Sequence, residues 1–226
     1  MDWLNSLFEN PGITRALPEA VMETLQMVII SGVATVLIGV PLGIILHVTA
    51  PGGLAPMRPL NAVLSGVVVN ITRSIPYAIL MLALIPFTRF IVGTSIGPVA
   101  ACVSLTIATA PFFARLVETS LRDIQGGKID AALVMGSSRR QVIRKVMLPE
   151  AMPSIVSGVT TTLVMLVGYS AMAGLIGGGG LGRLAYNYGY QRYDVAVMIV
   201  TIAVMVILVQ LIQVVGDWLS RRVDHR

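Results

Sequence analysis

The sequence predicts an all-α polytopic membrane protein with five transmembrane helices and one amphipathic helix on the cytoplasmic side. Three observations carry that prediction. Hydrophobic residues make up 55% of the 226 positions and charged residues 12%, half of the roughly 25% usual in soluble domains. The charges are also segregated: no Asp, Glu, Lys or Arg occurs in residues 24–57, 74–88, 90–114, 151–182 or 195–216. A spanning helix needs about 20 mostly apolar residues at 1.5 Å rise each, and most of these runs supply them. Finally, the one densely charged run, residues 128–149, lies between two such segments.

In chain order, residues 1–23 mix Trp3, Leu4, Leu7 and Phe8 with Asp2, Glu9 and Glu19, and are interrupted by Pro11 and Pro18. They read as a short interfacial segment anchored by aromatics. The first span is 24–47, where Gly39 and Gly43 form a small-xxx-small face for close packing and Pro41 removes a backbone bond. The second is 60–87, polar near its middle at Asn70, Thr72, Arg73 and Ser74. The third is 97–117, opened by Pro98 and kinked at Pro111. The fourth is 153–176, leaving through Gly177, Gly178, Gly179 and Gly180. The fifth is 194–218, followed by Arg221 and Arg222. The chain reads as one transmembrane domain over 1–226, with no internal repeat.

Lys and Arg placement sets the orientation. With the N-terminus outside, the cytoplasmic pieces hold Arg58, Arg115, Arg122, Lys128, Arg139, Arg140, Arg144, Lys145, Arg221, Arg222 and Arg226. The outer pieces hold only Arg15, Arg89, Arg183 and Arg192. The N-terminus is therefore expected outside and the C-terminus in the cytoplasm of a cell membrane. That placement also accounts for the formal net charge of +5 without nucleic acid, whose basic patch belongs on a soluble domain. Cys102 is the one cysteine, so neither an internal disulfide nor a cysteine metal framework is expected. A start of Met-Asp-Trp-Leu-Asn lacks the basic n-region of a signal peptide.

Within 128–149, Ile129, Ala132, Leu133 and Gly136 recur at i, i+3, i+4 and i+7, one face of a helix. Gly126 and Gly127 are expected to break the preceding helix, Ser137 and Ser138 to turn a corner, and Pro149 to stop a second short face of Val142, Ile143 and Val146. Chemically this is either an amphipathic helix held to anionic lipid by Arg139, Arg140, Arg144 and Lys145, or a platform whose small residues Ala131, Ala132 and Gly136 admit a partner closely.

The spacing favours the partner. Asp130-Ala131-Ala132, three residues, Gly136, nine residues, Val146, one residue, Leu148-Pro149 resembles the EAA loop of ABC importer permeases, Glu-Ala-Ala-x3-Gly-x9-Ile-x-Leu-Pro. Asp130 and Val146 stand where that family has Glu and Ile. Further runs resemble the methionine-uptake branch over nearly all of 20–220: Arg73-Ser-Ile-Pro, Ala110-Pro-Phe-Phe-Ala-Arg115, Gly168-Tyr-Ser-Ala-Met172, Gly177-Gly-Gly-Gly-Leu-Gly182 and the tyrosine-rich 186–190. The resemblance implies a type I ABC importer permease fold, with 128–149 as the coupling loop that docks on an ATP-binding subunit. It assigns coupling to Asp130, Ala131, Ala132, Gly136, Val146, Leu148 and Pro149. It also implies that Met172 is a hydrophobic gate, with Tyr169 and Ser170 beside it; on the bare sequence Met172 reads as packing. Arg73, the one charge well inside a span, faces either a helix neighbour or the pathway.

Two enzyme readings fall away. Gly177-x-Gly179-x-x-Gly182 has dinucleotide spacing, but it follows a span rather than a strand, and Arg183 and Leu184 stand where a phosphate loop needs Lys and Ser/Thr. Gly168-Tyr-Ser170 resembles an intramembrane serine protease, but a nucleophile needs a base within reach, and the only histidines are His47 and His225. The glycine run is instead expected to be a flexible exit facing a delivering protein. The expected function is the membrane permease of an ATP-driven methionine importer working by alternating access. Its expected partners are a second copy of itself, two ATP-binding subunits that hold ATP and Mg, an extracytoplasmic substrate-binding lipoprotein and membrane lipid. An importer for another amino acid is the main alternative. An ATP-independent transporter is the lesser one, since its ion-relay carboxylates are missing between Glu23 and Glu118.

Overall fold

A computed structural model of the chain describes residues 10–224, which are helical with no strands among them. Trp3, Leu4, Leu7, Phe8, His225 and Arg226 lie outside the described residues. Four helices are long and apolar enough to cross a membrane: α1 Gly12–Thr49, α5 Pro98–Arg122, α7 Arg139–Gly178 and α9 Val195–Val223. Between them lie α2 Arg58–Ser74, α3 Tyr77–Ala83, α4 Ile85–Val92, α6 Gly126–Val134 and α8 Gly180–Leu184. Counting α2 and α3 as one broken span gives the fifth crossing.

Several sequence boundaries move, each for a backbone reason. The stretch 12–23 is helical and continuous with the first span, forming the opening turns of α1. Pro18 is tolerated there because the turn Gly12–Ala16 before it is a wide, π-type turn. The proline's missing N–H then leaves no regular i to i−4 partner stranded. Pro149 does not stop a short helix either. The wide turn Ile143–Met147 precedes it, and α7 runs on through Pro149 and Pro153. The second apolar run is not one straight helix. Pro76 sits at φ −56°, ψ 134°, outside the helical region, so α2 ends at Ser74 and α3 begins at Tyr77.

The chain gathers into two compact units. The first comprises residues up to Ala34, Ile75–Ala108 and Leu163–Gln213. Its core holds Met27, Tyr77, Leu105, Leu166 and Ala173, with a second cluster of Ala20, Leu181, Leu184 and Val197. The start of α9 is fixed here. Asp194 is its N-cap, accepting from the Val197 N–H at 3.1 Å and from Asn10 Nδ2 at 2.7 Å. Asp194→Ala should lower stability by about 1 kcal/mol, read as a drop in Tm of the detergent-purified protein, and Asp194→Asn should restore most of it.

The second unit comprises Thr35–Ser74, Thr109–Thr162 and the residues from Val214 on. Its core holds Phe113, Val117, Leu121, Ala132, Val142 and Met147. The small-residue face of α1 works as its spacing implies. A Cβ on Gly39 would stand 2.7 Å from the Phe113 ring, and one on Gly43 2.6 Å from the Ala114 carbonyl oxygen, so both glycines let α5 approach backbone to backbone. The hydroxyls of Thr35 and Thr109 add a buried interhelical bond of 2.6 Å.

Candidate coupling surface and transport pathway

The loop 128–149 lies wholly in the second unit. The break before it falls at residues 123–125, and Gly126 and Gly127 form the first turn of α6 rather than a helix stop. Helix α6 ends in a two-bond glycine cap: the Gly136 N–H donates to the Leu133 carbonyl at 2.9 Å and the Ser137 N–H to the Ala132 carbonyl at 3.0 Å. That geometry places Gly136 at φ +81°, a left-handed conformation that glycine adopts without steric penalty. A helix start follows at once. Ser138 and Gln141 form a capping box at the foot of α7, with the Ser138 N–H donating to Gln141 Oε1 at 2.8 Å. The turn therefore requires the glycine of the motif.

The predicted coupling residues divide by face. Ala132 is buried and joins the unit's core, with Val146 and Leu148 partly buried against it. Asp130, Ala131, Gly136 and Pro149 are exposed. Of the face read as Ile129, Ala132, Leu133 and Gly136, the first two turn inward and the last two are exposed. What the loop presents outward is Val134, 88% exposed, and Met135, 79% exposed, two residues that the sequence reading passed over. Their place was legible in the three-residue gap between Ala132 and Gly136, since the positions after an inward-facing residue on a helix face away from the core. Lys128 forms an ion pair with Glu150 and so ties α6 to the foot of α7.

A second arrangement in this unit also escaped the sequence reading. Glu118 is buried, and its two oxygens each accept at 2.6 Å, from Arg115 and Arg122. Arg115 reaches on to Ser65 Oγ at 2.8 Å and Asn70 Oδ1 at 3.0 Å on α2. The signal was the i, i+3 and i+4 spacing of opposite charges around Glu118. Asn70 accordingly serves Arg115 and not Arg73. Arg73 is exposed, with its guanidinium 5.7 Å from the Phe112 ring centroid, a cation–π contact within this unit.

The remaining pathway residues lie in the first unit, and Arg73 lies in the second. Ser170 is buried and donates to the Val167 carbonyl at 2.7 Å. Tyr169 is half-buried, and its ring stacks on Tyr77 with centroids 4.4 Å apart and planes 4° from parallel. Met172 is 38% exposed, on the same helical face as Tyr169 three residues before it.

The glycine run is no flexible exit. Residues 178–182 are all buried. Helix α7 loses regular geometry at Ile176 and Gly177, and Gly177, Gly179 and Gly180 carry φ of +98°, +85° and +73°. Glu23 and Thr24 of α1 close the turn: the Gly180 N–H donates to the Glu23 carboxylate at 2.5 Å and the Leu181 N–H to Thr24 Oγ1 at 2.9 Å. Arg183 pairs with the same carboxylate at 3.1 Å. Backbone donors that a phosphate would require are thus already occupied by this chain's own side chains.

Comparison with known proteins gives the family. A family model described as "Binding-protein-dependent transport system inner membrane component" matches residues 39–226. The chain is 54% identical to the probable D-methionine transport system permease protein MetI of Vibrio cholerae over 92% of each chain. It is 46% identical to the methionine import system permease protein MetP of Bacillus subtilis, over 80% of this chain and 82% of that one. Among solved structures, the MetNI methionine ABC transporter in an inward-facing conformation superposes with a TM-score of 0.93 at 48% identity, over 96% of this chain and 100% of that one. An amino acid ABC transporter solved with histidines shares the fold, at a TM-score of 0.79 and 19% identity over 98% of this chain and 99% of that one. With that match over most of its length, and with helices that can cross a membrane four or five times, the chain belongs to the binding-protein-dependent transport system inner membrane components, as a type I ABC importer permease.

Proposed function

We propose that the chain is the membrane permease of an ATP-driven methionine importer. The observation that carries this is the identity of 43–54% to permeases named for D-methionine transport, over at least 92% of this chain. Two copies pair about a shared path, and each presents α6 to one ATP-binding subunit on the cytoplasmic side. The N-terminus lies outside and the C-terminus inside, in keeping with the Lys and Arg bias. ATP and Mg are held by the partner subunits; closure of those subunits draws the two α6 helices together and turns the path outward. An extracytoplasmic binding lipoprotein then delivers substrate, and hydrolysis returns the path to the inside. The permease makes and breaks no covalent bond.

Within this scheme Val134 and Met135 of α6 carry the docking contact, Asp130 and Ala131 flank it, and Ala132, Gly136, Val146, Leu148 and Pro149 shape the loop. Tyr169 and Met172 line the path near its gate, with Ser170 packed behind them. Arg73 packs on Phe112 at the end of α2. The test is transport by vesicles holding the permease with its ATP-binding subunit, supplied with binding protein outside and ATP inside. Labelled methionine should accumulate only with ATP, and unlabelled methionine should compete better than other amino acids. Stronger competition by histidine or another amino acid would overturn the substrate assignment.

A further inference from the structure

Tyr77 is 4% exposed and is the first residue of α3, directly after the non-helical Pro76. Its hydroxyl lies 3.3 Å from Ser104 Oγ. Ser104 Oγ in turn donates to the Ala101 carbonyl at 3.0 Å. With the serine proton committed there, Tyr77 donates and Ser104 accepts, giving a chain from phenol to serine to backbone. Both side chains are buried, and a buried hydroxyl that leaves its partner carries a desolvation penalty. The Tyr77 ring therefore has a fixed position, and Tyr169 lies flat against it at 4.4 Å.

We infer that Tyr77 is a positioning residue of the transport path: stacked on Tyr169 and tethered to Ser104, it sets the orientation of the α7 turn that presents Met172. The inference rests on the reading of Tyr169 and Met172 as path residues given above. The proline break supplies the aim. A continuous helix through residue 76 would carry Tyr77 on the regular rotation of α2, whereas the extended Pro76 starts α3 afresh with its first side chain in the core of the first unit. The stack then acts on Tyr169, and the hydrogen bond acts on Tyr77 alone. Because Tyr169 and Met172 share a face, a displaced Tyr169 ring opens room beside Met172.

The two contacts can be removed separately. Tyr77→Phe keeps the ring and loses the hydroxyl; Tyr77→Leu loses both; Tyr169→Leu removes the stack from its less buried side. The reading is methionine transported per ATP hydrolysed by the complete reconstituted complex, together with ATP hydrolysis when methionine is absent. Tyr77→Leu and Tyr169→Leu should each raise substrate-free hydrolysis about threefold or more and lower the transport ratio to match. Tyr77→Phe should recover most of the ratio, and the double leucine variant should be no worse than either single one. A purely structural role would reduce transport and hydrolysis together and leave the ratio unchanged. An assembled Tyr169→Leu complex with the wild-type ratio overturns the inference, whether or not Tyr77→Leu assembles. A wild-type complex that couples to a different amino acid overturns the methionine assignment alone, and the ratio is then measured with that substrate.

Discussion

Replacing Met135 by aspartate is expected to leave the permease folded and to abolish uptake. The Met135 side chain is 79% exposed and its neighbour Val134 88% exposed, so a charge at either place meets water in the free protein. Surface substitutions of this kind usually change stability by less than about 0.5 kcal/mol. On the docking proposed above, the same carboxylate would be buried without a partner in the assembled transporter. Leaving one charge uncompensated at an interface costs roughly 2–5 kcal/mol, about a 30-fold to several-thousandfold loss of affinity. Val134→Asp should behave alike. Ala132→Asp should not, because Ala132 is in the core of the second unit; that variant should lose folding and docking together. Co-elution with the ATP-binding subunit, Tm and uptake separate the cases. A Met135→Asp permease that co-elutes and transports normally removes α6 from the docking contact.

These variants differ from those the motif alone would select, and the reason is physical. Period and spacing located the loop and its two helices, because the inward turn of Ile129, Ala132 and Val142 follows from apolar recurrence at helical spacing. They could not say whether Gly136 is small for a partner or for a turn. The backbone angle and the paired bonds of Gly136 and Ser137 show that the turn requires it. Prolines misled for a related reason. Pro149 and Pro18 read as boundaries, but wide turns just before them absorb the lost bond, and local sequence does not announce such turns. At Pro76 the same residue type does end a helix.

Polar partners were less legible than apolar ones. Glu118 stood out only as the first carboxylate after a long gap, whereas its clamp depends on Arg115 and Arg122 on its own helix and on α2 supplying Ser65 and Asn70. Asn70 stands three residues before Arg73 in sequence, but its side-chain oxygen accepts from Arg115. Hydrogen bonds between residues 45 or more positions apart have no periodic signature, so the number and order of the apolar runs were readable while the polar joints between them were not.

The glycine turn after α7 gives the other large effect. Gly182→Val is expected to prevent recovery of a folded permease. Gly182 is buried, and a Cβ there would overlap the Ala171 carbonyl, a backbone atom within α7 that cannot rotate away as a side-chain tip could. Gly174, on the other side of the turn, is equally closed: its Cβ would stand 2.6 Å from both the Arg183 nitrogen and the Gly179 oxygen. Relief would require α8 to move off α7 and break the bonds from Gly180 and Leu181 to Glu23 and Thr24. Overpacking a site that cannot yield, together with lost buried hydrogen bonds, amounts to roughly 3–5 kcal/mol, a large part of the stability of a typical domain. Gly168→Ala is the control. Nothing lies within 4 Å of a Cβ at Gly168, and alanine is the better helix former, so that variant should match or exceed the wild-type Tm. The pair also separates two ideas of what the glycines do. If the run were a flexible linker, Gly182→Val would cost little and would melt much as Gly168→Ala does. If it is a packed turn that α1 holds shut, Gly182→Val alone is lost, and size-exclusion profiles with thermal melts in detergent will show which holds.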